Sequence, residues 1–157
     1  VPKTENLKSG QNHSSIEPYG GRPLILRLQR RHVDLLKQEA EKVHPVEACA
    51  LLFGKLSQNE AVVEKVEIAP NKLQSTVKFE IDPTKVAAAI TEAEKEGLDF
   101  VGLFHSHPAP AAPSPIDLKY MKLWGDALWL ILSSIDGNLA AYHLMEDAVK
   151  EAPLRIE

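Results

Sequence analysis

Residues 105–117 read His-Ser-His-Pro-Ala-Pro-Ala-Ala-Pro-Ser-Pro-Ile-Asp, and the fold turns on what flanks them. Just before them, Phe100-Val-Gly-Leu-Phe104 has the apolar, aromatic character of a buried strand. In extended chain, side chains two apart share a side, so His105 and His107 at the end of that strand aim both imidazoles at one point. Pro108 to Pro113 is too proline-rich for helix or central strand and bends the chain away, which lets Asp117 return to the same point. Two neutral imidazoles and one carboxylate with a fourth position open form a donor set of the kind catalytic zinc prefers. The same residues have a plainer reading. Ser114-Pro-Ile-Asp117 is a good helix start, with serine as N-cap, proline at the first position and an acidic residue reciprocating the cap. A lone H-x-H also occurs by chance.

Upstream, Leu24 to Leu28 predicts a first strand, and Val33, Leu36, Ala40 and Val43 recur at helical spacing over His32 to Val43. Pro45 ends that helix, because a proline disfavours helical geometry in the residue before it. The run Glu47-Ala-Cys-Ala-Leu-Leu-Phe-Gly54 is apolar on both faces except at its first residue, as expected of a central strand. Glu47 is then either a residue at an exposed strand end or a catalytic carboxylate. Ala61 to Ile68 and Val77 to Ile81 predict further strands joined by a polar connection, Asn71 to Thr76. Asp82 and Pro83 open a second helix as N-cap and first position, with Val86, Ala89, Ile90 and Ala93 as its buried stripe and Gly97 as its end.

Downstream of Asp117, a short helix carries Leu118, Met121 and Leu123, and Ala127 to Ser133 pairs with Leu139 to Met145 across the Asp136-Gly137 turn. Leu154 to Ile156 adds an edge strand. Strands and helices mixed without regular βαβ alternation predict an α/β domain with one mixed, curved sheet flanked by helices. Residues 1–22 are polar, punctuated by Gly and Pro, and read as a flexible tail before a domain over residues 23–157.

Composition closes off several functions. At 157 residues and 44% hydrophobic content the chain fits one domain with an ordinary core. A net charge of −4 with dispersed Lys and Arg provides no surface for neutralising phosphates, so no nucleic-acid partner is expected. The longest apolar run, Ala127 to Leu132, is too short to span a bilayer, and no leader pattern precedes the fold; the expectation is a soluble, cytoplasmic protein without a membrane partner. With Cys49 as the single cysteine, any metal site must use histidine and carboxylate.

Glu47 in P-V-E-A-C-A-L-L-F-G, then H-S-H-P, then S-P-I-D, resembles the JAMM (MPN-plus) zinc metalloproteases: deubiquitinating enzymes of the proteasome-lid type and their archaeal and bacterial relatives. The similarity runs from about Leu24 to the C-terminus, and separated segments must agree for it to hold. It implies a single MPN-like (cytidine-deaminase-like) catalytic domain, one Zn2+ per chain on His105, His107 and Asp117, Glu47 as general acid/base, and Ser114 as stabiliser of the tetrahedral intermediate. It also implies that Asn71 to Val77 is a segment that folds over the substrate tail and is mobile without it.

The chain departs from the family pattern twice. The loop from His107 to Ser114 is one residue short of the usual spacing, and Ile135 to Asn138 is a tight turn where the lid enzyme has a long insertion. The activity implied is hydrolysis of the amide bond after the Gly-Gly terminus of ubiquitin or a ubiquitin-like modifier, with such conjugates as partners and the proteasome as a candidate one. Two other readings stand beside it: a peptidase for a sulfur-carrier protein of ubiquitin fold, and a non-catalytic MPN scaffold. Scaffolds of that kind usually lack the ligands, all of which are present here.

Overall fold

The computed structural model describes residues 24–157, so the tail read over residues 1–22 lies outside the described residues. Eight strands form one curved mixed sheet. They are β1 (Ile25–Leu28), β2 (Cys49–Leu56), β3 (Glu60–Ala69), β4 (Asp99–His107), β5 (Leu128–Ser133), β6 (Leu139–Met145), β7 (Ala148–Ala152) and β8 (Leu154–Ile156). Their order across the sheet is β7-β6-β5-β4-β2-β3-β1-β8. β4 runs antiparallel to β2 and parallel to β5, which makes it a central strand. Three helices cover the sheet: α1 (Arg30–Val43), α2 (Pro83–Lys95) and α3 (Pro115–Leu123).

Both faces of the central strands are buried, which is why β2 and β5 read as unbroken apolar runs. On one face Val33, Leu36 and Ala40 of α1 pack against Leu26, Leu52, Phe104 and Leu130. On the other, Ala93 of α2 and Met121 of α3 pack with Cys49, Leu51, Leu103 and Trp129. Successive strand residues alternate faces, so His105 follows Leu103 onto the α2/α3 side, beside Trp129. Gly102 lets β4 lie close to β5, because a Cβ there would collide with the backbone carbonyl of Leu128.

The caps behave as their chemistry requires. The Asp82 carboxylate accepts from Thr84 N at 2.9 Å with Pro83 at the first position, and Gly97 follows the end of α2 at φ +76°. The hairpin at Asp136-Gly137 joins antiparallel β5 and β6, and β8 is the edge strand expected at Leu154 to Ile156.

Four expectations need correction. β2 begins at Cys49 and runs on to Leu56, so Glu47 stands just ahead of the ladder. β7 is a strand that the polar residues of Ala148–Ala152 did not signal, because it is an edge pairing only with β6. Of the three apolar residues expected on α3 only Met121 is buried, while Leu118 and Leu123 are exposed, the helix being short and touching the core along a single line.

Most consequential, Val77 to Ile81 is not a strand. β3 already has partners on both sides in β2 and β1, so no free ladder is available to receive it. Phe79 and Ile81 are buried all the same, and in place of a ladder the Asn71 side chain pairs with Lys78 O and Glu80 N while Lys72 N donates to Glu80 O. Among the described residues, no helix is long and apolar enough to cross a membrane.

Candidate metal centre

The three candidate ligands come together. His105 and His107 lie at the end of β4, and Asp117 sits in the first turn of α3. One donor atom from each lies within 4.8 Å of the others, and all three side chains are buried. His105 Nε2 is 3.1 Å from Asp117 Oδ2, and His107 Nε2 is 3.6 Å from the same oxygen.

The plainer reading of Ser114 to Asp117 is also correct, and it serves the site. Ser114 Oγ accepts from Asp117 N at 3.1 Å, and Asp117 Oδ2 accepts from Ser114 N at 2.9 Å, completing a capping box. Such a cap is worth about 1 kcal/mol, which is ample to hold a short helix start in register. One carboxylate thus fixes the helix and points at the histidines. The Ser114 hydroxyl spends its oxygen on the cap and keeps its proton to donate.

The β2/β4 register places Glu47. Cys49 pairs with His105, and Ala48 and Ser106 follow: Ala48 N donates to Ser106 Oγ at 2.9 Å, and Ser106 N donates to Ala48 O at 3.0 Å. Continuing that antiparallel register sets Glu47 opposite His107. Glu47 is 1% exposed, and its Oε1 has no hydrogen-bond partner. Burial first, and then the charge of Asp117, pushes its carboxyl up to about 8, with His107 opposing. The reading of Glu47 as an exposed strand end is therefore wrong.

The ionisation states suit a cation. Burial keeps the His105 imidazole below its usual range despite the nearby Asp117 charge, so at neutral pH it is a neutral donor. Asp117 is depressed well below the ordinary carboxylate range: burial works against this, but the two histidines and the Ser114 amide outweigh it. For His107, burial pulls downward while Asp117 and Glu47 carry the net shift upward.

The donor set also fits by geometry. Nitrogen and oxygen ligands at 2.0–2.2 Å from a tetrahedral ion stand about 3.4 Å from each other, close to the separations of 3.1 and 3.6 Å found here. His107 Nε2 lacks a hydrogen-bond partner in the protein although it is buried. A buried polar atom of this kind calls for a partner that protein atoms do not supply.

Some of the surrounding residues were not foreseen. Phe79 stacks on the His105 ring at 4.7 Å between centroids and 22° between planes, and Trp129 meets the same ring edge-on at 5.7 Å. These contacts fix the ring's orientation. Ser106, between the two histidines, ties the Glu47 segment to β4. Its position inside the H-S-H motif was the available signal. Nothing in the sequence announced Asn71, whose side chain reaches the Glu47 backbone. Cys49 is completely buried, and burial pushes its thiol up to about 12, the environment of a packed core thiol rather than of an activated nucleophile.

Comparisons with known proteins agree with this geometry. The family model for prokaryotic homologs of the JAB domain matches residues 29–146. A desampylase of Pyrococcus furiosus is 43% identical over 114 residues, covering 71% of this chain and 77% of that protein. A probable TtuB-protein conjugate cleaving protease of Thermus thermophilus is 30% identical over 103 residues, covering 65% and 67%. A Desulfitobacterium hafniense protein of known solution structure superimposes with a TM-score of 0.77 at 27% identity, covering 84% of this chain and 92% of that one. A JAB1/MPN domain protein from Archaeoglobus fulgidus shares the fold at a TM-score of 0.57 and 22% identity, over 84% and 97% of the two chains. With its histidine strand, capped aspartate and buried glutamate assembled on this sheet, the chain belongs to the JAB/MPN (JAMM) family, among its prokaryotic homologs.

Proposed function

We propose that the chain is a zinc-dependent isopeptidase or peptidase that hydrolyses the amide bond after the C-terminal Gly-Gly of a ubiquitin-like modifier. The observation that carries this reading is the pairing of a His105/His107/Asp117 donor set with a buried carboxylate, Glu47, outside that set. Two relatives are named for related activities, a desampylase and a probable protease of TtuB-protein conjugates.

His105, His107 and Asp117 would hold the ion. Zinc bound by such a set acidifies water from a pKa of about 15.7 to about 7 and polarises a carbonyl. Glu47 does the proton work. Its Oε1, free of protein partners, takes a proton from the attacking water and delivers it to the leaving amine. In the metal-free protein burial raises this carboxyl, the kind of tuning that lets a carboxyl exchange protons near neutrality.

The Ser114 hydroxyl donates to the oxyanion that develops on the scissile carbonyl. Phe79 and Trp129 keep the His105 ring from turning. Glycines suit the acyl side of the bond, since a chain without side chains can lie extended close against the loop on which Leu73 and Val77 are exposed.

The test is incubation with a ubiquitin-like protein joined through its Gly-Gly terminus to a lysine side chain, with and without chelator, read by product mass. Release of an intact Gly-Gly terminus, abolished by chelator and restored by zinc, is expected. Cleavage that is indifferent to chelator, or a complete lack of cleavage across a panel of such modifiers, would overturn the reading.

A further inference from the structure

We propose that Asn71 is a positioning residue for the reaction, holding the backbone of Glu47 so that its carboxylate stays at the site; this rests on the reading of Glu47 as the proton carrier. Glu47 lies ahead of the β2 ladder, so its placement depends on its own backbone contacts. Its N–H donates to Ser75 O at 2.9 Å, and its carbonyl accepts from Asn71 Nδ2 at 3.1 Å. Asn71 Nδ2 also donates to Lys78 O at 3.0 Å and, more weakly, to Ser75 O at 3.4 Å. Its Oδ1 accepts from Leu73 N at 3.0 Å and from Glu80 N at 3.2 Å.

Both groups facing Oδ1 are backbone donors and those facing Nδ2 are backbone carbonyls, so the amide has one sensible orientation. Together with the backbone bond from Lys72 N to Glu80 O at 2.8 Å, this buried side chain closes residues 71–80 into a loop, and it ties that loop to Glu47.

Position explains why this matters for rate. General acid/base chemistry requires the carboxylate within hydrogen-bond reach of the proton it moves, and misplacement of about 1 Å can cost on the order of 100-fold. From one side Ser106, between the two histidines, holds Ala48; from the other Asn71 holds Glu47 itself. The two clamps fix the peptide that carries the base relative to the strand that carries the imidazoles. Asn71 touches neither the donor set nor, on this account, the reacting atoms.

The experiment uses Asn71→Asp, which keeps the acceptor and loses the donors, and Asn71→Ser, which is neutral and too short to reach the Glu47 carbonyl. The substrate is ubiquitin carrying a fluorogenic amide at its Gly-Gly terminus. Both variants should keep wild-type zinc content, lower kcat by roughly tenfold or more, and leave KM within about threefold. In a Glu47→Gln background neither should lower the residual rate further, because a residue acting through Glu47 has nothing left to position.

Hydrogen exchange gives a readout that does not depend on turnover. In both variants the Glu47 amide should exchange roughly tenfold faster, while the Ala48 amide, held by Ser106 Oγ, stays protected. A kcat within threefold of wild type, a change confined to KM, a full further loss in the Glu47→Gln background, or unchanged exchange at Glu47 would each overturn the proposal. A wild-type enzyme inert toward the substrate would count against the proposed function, and the exchange measurement would then decide the role of Asn71 alone.

Discussion

Two arms of the molecule meet at the site, and they are built on different principles. One arm, residues 99–117, is regular: a central strand ending in His105 and His107, a proline-rich bend, and a capped helix that returns Asp117. The other arm, Glu47 with residues 70–82, is irregular and is held by one asparagine and two serines through backbone contacts. The regular arm brings donor atoms together by local geometry, so it suits binding an ion. The irregular arm presents a single carboxylate without a protein partner, which suits moving a proton. The contrast teaches that, on the proposed function, metal binding and chemistry are separable, each with its own way of failing.

The sharpest way to break that separation is His107→Ala. It should reduce zinc content far below one ion per chain and take hydrolysis to background, since one of only three protein donors is lost. Metal analysis beside a cleavage assay checks this. Retention of stoichiometric zinc with wild-type affinity would mean that the regular arm is not the metal arm.

Glu47→Gln should do the opposite, leaving zinc in place while lowering kcat by about 100- to 10,000-fold, the usual range for removing a general acid/base. The amide keeps size and shape and removes only the proton carrier. Loss of zinc in this variant would merge the two arms into one.

Ser114→Ala lies where the arms' roles overlap, since its hydroxyl caps α3 and, on the proposed mechanism, also donates to the oxyanion. Loss of an oxyanion donor should lower kcat by roughly 100- to 1,000-fold, and loss of the cap should cost about 1 kcal/mol of stability. Thermal unfolding and steady-state kinetics separate the two. A stability change with kcat intact would leave Ser114 as a cap only.

A smaller effect follows from the Glu47 carboxyl in the metal-free protein. A carboxyl with its folded-state pKa raised from 4.5 to about 8 binds more protons folded than unfolded in that window, so its contribution to stability falls as pH rises through it. Glu47→Gln lacks this proton. With chelator present, the melting temperature of Glu47→Gln relative to wild type should therefore climb between about pH 5 and pH 8. A difference that stayed flat, or ran the other way, would show that Glu47 is not held in a desolvated place.

The smallest change is Cys49→Ala. The residue is fully buried beside the site but belongs to the core, with Sγ 3.5 Å from Ala69 O. Removing it should cost about 1 kcal/mol of stability and leave kcat near wild type. Inactivation of the folded variant would require a different chemistry.

The regular arm was legible from the sequence because every signal in it acts over a few residues. Side chains two apart on a strand share a side, prolines bend the chain, and Ser114 and Asp117 reciprocate a cap within one turn. The apolar runs of β2 and β5 likewise revealed strands buried on both faces. The irregular arm was not legible in the same way. Val77, Phe79 and Ile81 carry strand preference, but preference alone cannot show that β3 has no free edge to receive them. What Phe79 and Ile81 signalled was burial, and Phe79 lies against His105.

By itself, the sequence determined the residues that can donate to a metal, the caps that turn the chain back toward them, and the apolar strands beneath. Only the tertiary structure decided that Glu47 is buried rather than at an exposed strand end, that its register sets it opposite His107, and that Asn71 holds it there. The physical reason is the range over which each feature is specified. Dihedral preferences and caps are settled within a turn or a strand, whereas desolvation and hydrogen bonds between residues 24 and 58 positions apart exist only once the sheet has brought those segments together.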